Sequence, residues 1–98
     1  MEKAIPHYKL HAVKALASAG RIRSTVSALA GAAGLGLDFR ALVDTVVSLE
    51  SSVFHKSMTT HADHRVWHDV YRPWTTGGWA YMKLTVPDDV LVVSFKEL

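Results

Sequence analysis

The side chains best suited to chemistry crowd into the second half of the chain. Four of the six histidines, His55, His61, His64 and His68, lie between positions 55 and 68. Arg72, Trp79, Tyr81, Lys83 and Lys96 follow them. An unperturbed imidazole titrates at about 6.5 and so takes or gives a proton near neutral pH. Lysine ammonium groups hold phosphate as point charges, and exposed aromatic rings stack on the bases of single-stranded RNA. The histidines also raise the question of a metal. Cysteine is absent, which excludes disulfides and thiolate ligands. There is no H-E-x-x-H spacing. His64 and His68 would share a face on a helix, but this stretch reads as loop and strand. The expectation is therefore no metal and no cofactor.

The chemistry has to be carried by a small frame. At 98 residues, positions 1–98 form one domain with a single modest core. Hydrophobic residues make up 49% and charged residues 20%, the balance of a soluble globular protein. The formal net charge of +2 is too low for a nonspecific nucleic-acid coat, but it permits an RNA substrate. Apolar runs such as Val90 to Val93 are far too short to span a membrane. The opening residues do not read as an export leader, so the expected compartment is the cytoplasm.

Ala, Leu and Gly dominate the first half; Val, Thr and aromatics dominate the second. Pro6 suits a helix start, and Leu10, Val13, Leu16 and Ala17 recur at helical spacing up to a stop at Gly20. Ser24 or Thr25 caps a second helix that ends near Gly31 to Gly34. Asp38 caps a third, with Leu42, Val43, Val46 and Leu49 on one face. Val53 to Thr60, Arg65 to Arg72, Trp79 to Val86 and Asp89 to Phe95 then read as strands. Short links make neighbouring strands antiparallel. The expected fold class is α+β, with three N-terminal helices on one face of a mainly antiparallel sheet.

Alternation sorts the strand residues by face. Ala80, Met82, Leu84 and Val86 should meet the helices, leaving Trp79, Tyr81, Lys83 and Thr85 on the other side. In the last strand Leu91, Val93 and Phe95 form the better core set, with Ser94 and Lys96 pointing away. A two-residue link at Pro87-Asp88 would place Tyr81 opposite Ser94 and Trp79 opposite Lys96. Tyr81 and Lys96 are then diagonal neighbours on one polar face. His68 shares a face with Val66, Val70 and Arg72, and reaches the Tyr81 side only in one register of the preceding hairpin. Strand propensity alone does not single out Lys56, which shares a face with Phe54 and Met58.

A resemblance adds what periodicity leaves open. Met1-Glu2-Lys3 with Pro6-His7, Leu35 to Phe39, Phe54 with Lys56-Ser57-Met58-Thr59-Thr60, Asp63-His64, Trp67, Asp69-Val70-Tyr71-Arg72-Pro73 and Val92 to Glu97 together resemble the MqsR family of motility and quorum-sensing regulator toxins. The resemblance runs over nearly the whole chain. It implies a RelE-like fold and a metal-independent endoribonuclease that cuts single-stranded mRNA at GCU-type sites. It also implies an MqsA-type antitoxin partner with a zinc-binding domain and a helix-turn-helix domain. Lys56, Tyr81 and Lys96 match the family's active-site positions. At the fourth position, usually glutamine, this chain has His68.

On that reading the RNA 2′-OH is the nucleophile, Lys56 and Lys96 hold the phosphate, Tyr81 positions or protonates, and His68 is the acid–base candidate. His55, Arg72, Trp79 and Lys83 are the candidate RNA contacts. The alternative is a non-catalytic RNA- or protein-binding module that uses an open sheet edge.

Overall fold

The computed structural model describes all 98 residues. Two of its three helices start where a side chain satisfies a free amide, as the cap residues led one to expect. Thr25 Oγ1 accepts from the Ala28 amide at 3.0 Å to open α2 (Val26–Gly34). Asp38 accepts from the Ala41 amide at 2.8 Å to open α3 (Phe39–Val47). The first helix, α1, spans Leu10–Ser18 and has no side-chain cap. It starts after Lys9 rather than at Pro6. The buried Asp69 carboxylate explains the difference, because it accepts the His7 and Tyr8 amides, each at 2.9 Å, and holds that segment out of a helical turn. Gly20 follows α1 with φ +78°, a conformation that a side chain would strain.

The four expected strands are present as β3 (Phe54–Thr59), β4 (Trp67–Tyr71), β6 (Gly78–Thr85) and β7 (Val90–Glu97). Three short strands lie outside the sequence expectation: β1 (Glu2–Lys3), β2 (Ile22–Ser24) and β5 (Trp74–Thr75). Runs of two or three residues show no alternation to read. The sheet order is β1-β3-β4-β6-β7-β2, with β5 paired to β6. All pairings are antiparallel except that of β2 with β7. Val13 and Ala17 of α1 and Leu42 and Val46 of α3 form the core with Tyr71, Met82, Leu84, Val92 and Phe95 of the sheet.

The β6–β7 hairpin corrects the expected register. Thr85 pairs with Leu91, so the link is longer than Pro87-Asp88. The register then shifts between Lys83, opposite Ser94, and Leu84, opposite Val92, which leaves Val93 as one extra residue on β7. Tyr81 consequently faces Lys96 rather than Ser94, and Ala80, not Trp79, stands near the strand end opposite Glu97. The bulge also reverses the alternation within β7. Val90 and Val92 are buried below it and Phe95 above it, while Leu91 and Val93 are only half-buried. Phe95 is thus the one member of the expected core set that is fully inside.

Helix α2 lies against this irregular strand. Thr25 Oγ1 donates to the Val93 carbonyl at 2.8 Å, and the Thr25 amide donates to the Val92 carbonyl at 3.0 Å. Nearly two turns further on, a Cβ at Gly31 would overlap the Phe95 carbonyl oxygen, whereas one at Gly34 meets nothing within 4 Å. Gly31→Ala should therefore destabilise the fold by about 1–3 kcal/mol, as overpacking does. Gly34→Ala should be neutral or stabilising by up to about 1 kcal/mol from helix propensity. Urea unfolding of both variants checks this; equal midpoints would contradict the close α2–β7 contact.

Candidate active site

Paired residues on adjacent strands project to the same side of a sheet. On the side away from the helices, these pairs build rows of polar groups. In the central row Lys56 pairs with Val70, Val70 with Lys83, and Lys83 with Ser94. On one flank Met58 pairs with His68. On the other, Tyr81 pairs with Lys96. The register from Tyr71–Met82 to Trp74–Trp79 is unbroken, which places Arg72 opposite Tyr81. Trp74 and Trp79 form the outermost row, with ring centroids 5.2 Å apart in an edge-on contact.

The structure therefore brings together Lys56, His68, Arg72, Trp79, Tyr81, Lys83 and Lys96. Tyr81 is the hub of the cationic part. The Lys96 and Lys83 ammonium groups lie 5.4 Å and 5.9 Å from its ring centroid. Lys56 stands two strand spacings, about 10 Å, from Lys83. Between them Val70 is fully buried, although it points away from the helical core. The side chains around it cover it and so acquire an apolar floor, where charge–charge forces are stronger than in open water.

His55 is the exception among the expected residues. It lies in the register shift between Phe54 and Lys56, is exposed, and stands at the rim of the face. Slight desolvation, and then Arg72 and Lys56, hold its pKa below the ordinary 6.5. His68 is half-buried, and burial first, then Lys83, lower its pKa also; Asp69 opposes this without prevailing. Its imidazole is accordingly neutral at pH 7. No three His, Asp or Glu side chains of the chain converge as a metal-binding group.

Two residues of this neighbourhood are not legible from spacing. Val70 reads as an ordinary strand valine. Glu2, at the far end of the sequence, brings its carboxylate to 3.3 Å from Lys56 Nζ. A recess of about 290 Å³ adjoins the face, lined by Ser52, Val53, Phe54, Arg72, Trp79 and Leu98. A larger concavity of about 530 Å³ lies between α3 and β5, away from the lysines. It is lined by Asp44 and Glu50 among others, charges that disfavour a phosphate.

Fold and face together define a class: a small α+β domain whose open sheet face is cationic, aromatic and supplied with a neutral imidazole. Sequence comparison narrows this. The family model described as "Motility quorum-sensing regulator, toxin of MqsA" matches residues 5–97. The chain is also 53% identical over 97 residues to the mRNA interferase toxin MqsR of Escherichia coli (strain K12), covering 99% of each. The chain belongs to the MqsR toxin family.

The state of His68 can be tested directly. Its NMR titration should have a midpoint below 6.5, and Lys83→Ala should move that midpoint part of the way back, since burial is the larger cause. The sign for stability follows from a depressed folded-state value. The neutral imidazole's contribution is present above pH 6.5 and is lost as pH falls through the folded pKa. A midpoint at or above 6.5 would contradict the environment described.

Proposed function

We propose that this chain is the toxin of a toxin–antitoxin pair and acts as an endoribonuclease of the mRNA interferase class, cutting RNA on the open face of its sheet. The observation that carries the reading is the contiguity of Lys56, His68, Tyr81, Lys83 and Lys96 on that face around the buried Val70. Membership of the toxin family and the 53% identity to an mRNA interferase support it.

Each step needs a group that the face supplies. His68, neutral at pH 7, accepts the proton of the 2′-OH. The 2′ oxygen attacks the adjacent phosphorus, and the bond to the 5′ oxygen breaks. Lys56 and Lys96 neutralise the charge that builds on the phosphoryl oxygens. The Tyr81 hydroxyl donates a proton to the departing 5′ oxygen. The products are a 2′,3′-cyclic phosphate and a 5′-hydroxyl end. The sequence of steps uses side chains alone, so cutting proceeds in chelator. Trp79 stacks on a base beside the cut and Arg72 reaches its edge or a phosphate, with the adjoining recess as the place for that base. Lys83 and His55 contact neighbouring phosphates.

The preferred sites are GCU-type triplets and the compartment is the cytoplasm. The antitoxin is of the MqsA type, with zinc-binding and helix-turn-helix domains. The family is described as the toxin of MqsA, which supports that partner.

A ribosome-free RNA containing every triplet, incubated in chelator, tests the reading. Wild type should cut at GCU-type sites and leave cyclic phosphate ends. Lys56→Ala and His68→Ala should each slow cutting by about 10²–10⁴-fold, the range for loss of a catalytic group. A 2′-deoxy sugar at the cut position should abolish it. Well-folded wild type that leaves the RNA intact would sink the proposal.

A further inference from the structure

Lys56 has one close partner in the fold, and that partner comes from the opposite end of the sequence. Glu2 lies in the two-residue strand β1, which pairs with β3 so that Glu2 stands opposite Met58. Met58 and Lys56 are two residues apart on one strand and share the open face. Both Glu2 carboxylate oxygens lie 3.3 Å from Lys56 Nζ. The Lys56 side chain is 29% exposed and that of Glu2 is 59%. The lysine is therefore the more enclosed member, and the carboxylate approaches it from the solvent side.

A strand of two residues has little hold on a sheet by itself. This one is fastened repeatedly. The Thr59 amide donates to the Met1 carbonyl at 2.9 Å. Lys3, on the opposite side of β1 from Glu2, places Nζ 4.1 Å from the Trp67 ring centroid and 2.9 Å from His7 Nδ1. The His7 ring stacks on Trp67 at 5.3 Å. Asp69 takes the His7 and Tyr8 amides, and the Tyr8 hydroxyl lies 3.0 Å from Thr85 Oγ1. These anchors lock the segment from the helix side and fix where Glu2 emerges on the other. A partly exposed ion pair contributes little to stability. Stability therefore accounts poorly for the pairing of Glu2 with Lys56. A negative charge beside a phosphate site also opposes the approach of RNA, so Glu2 does not serve ground-state binding either.

We propose that Glu2 is a positioning residue of the ribonuclease site: its carboxylate holds the Lys56 ammonium in the orientation that meets charge developing on the phosphoryl group. This rests on the ribonuclease reading above. A free lysine on a four-carbon stem samples many rotamers. Restricting it before substrate arrives avoids that reorganisation at the moment of reaction. Glu2 contributes geometry at the expense of attraction for RNA, and the two effects have opposite signs in kinetics.

Single-turnover cleavage and binding of an uncleavable 2′-deoxy RNA separate these effects. The variants are Glu2→Gln, Lys56→Ala and the double variant, all in the full chain, with thermal unfolding as the control on folding. Glu2→Gln should slow cleavage roughly tenfold, the scale of a small misplacement of a reacting group. Its affinity for the 2′-deoxy RNA should be equal or tighter and its thermal midpoint unchanged. In the Lys56→Ala background the same substitution should have no further effect on cleavage, because Glu2 acts through Lys56. Wild-type cleavage in Glu2→Gln, or equal slowing in both backgrounds, would overturn the inference. Failure of wild type to cut RNA would instead remove the ribonuclease reading on which it stands.

Discussion

Val93 is one residue more than β6 can pair with, and the accommodation of that excess governs both sides of the sheet. A bulge leaves backbone groups without their regular ladder partners. Here the Val93 carbonyl accepts from Thr25, the same side chain whose oxygen caps α2. One hydroxyl thus ties a helix start to a strand irregularity. Gly31 then lets α2 lie against the Phe95 carbonyl. With the helix seated this way, Phe95 enters the core and its neighbour Lys96 faces Tyr81 on the open side. The packing of the core and the composition of the candidate site are two outcomes of one local register.

The polar interior is similarly economical. Asp69 is fully buried but spends its charge on two backbone amides, so it is satisfied rather than reactive. Its neighbour His68 points to the other side of the sheet, where burial and Lys83 outweigh the pull of the carboxylate. Tyr71 and Tyr81 show the same division. Burial first, and then Asp69, push the Tyr71 phenol up to about 12, which keeps it protonated and outside any proton traffic at pH 7. Tyr81 sits instead among ammonium groups on the open face. Strand alternation has thus placed one tyrosine and one titratable partner of each kind where solvent decides their use.

Much of this was legible in the residues. The Ser24-Thr25 pair and Asp38 announce the helix starts because caps are local chemistry, with the fold selecting Thr25, and the alternation of Ala80, Met82 and Leu84 announces the inner face of β6. The sharing of a face by Tyr81 and Lys96 was also legible, but by a route that was wrong in detail. The longer link and the bulge each displaced the pairing, and the two displacements together restored the parity that the simpler register assumed. Pro6 misled because the determinant of where α1 starts is Asp69, far along the chain. Lys56 was found by resemblance alone, since its environment is made by Glu2 and Val70, whose approach no window of local sequence can display. The short strands β1, β2 and β5 escaped for the same reason: each exists only because a longer strand is there to receive it.

The counting of residues in the β6–β7 hairpin has an evolutionary side. Surface links commonly gain or lose a residue at little cost. Between Leu91 and Val93 that freedom is curtailed, because a single deletion in the paired strand would exchange the destinations of Phe95 and Lys96, sending a charge inward and an aromatic ring outward. Drift in this stretch is then confined to substitutions and to compensated pairs of length changes. Homologues that differ in length here should differ at both the link and the bulge, so the hairpin would evolve as one indivisible character rather than as a loop attached to a strand.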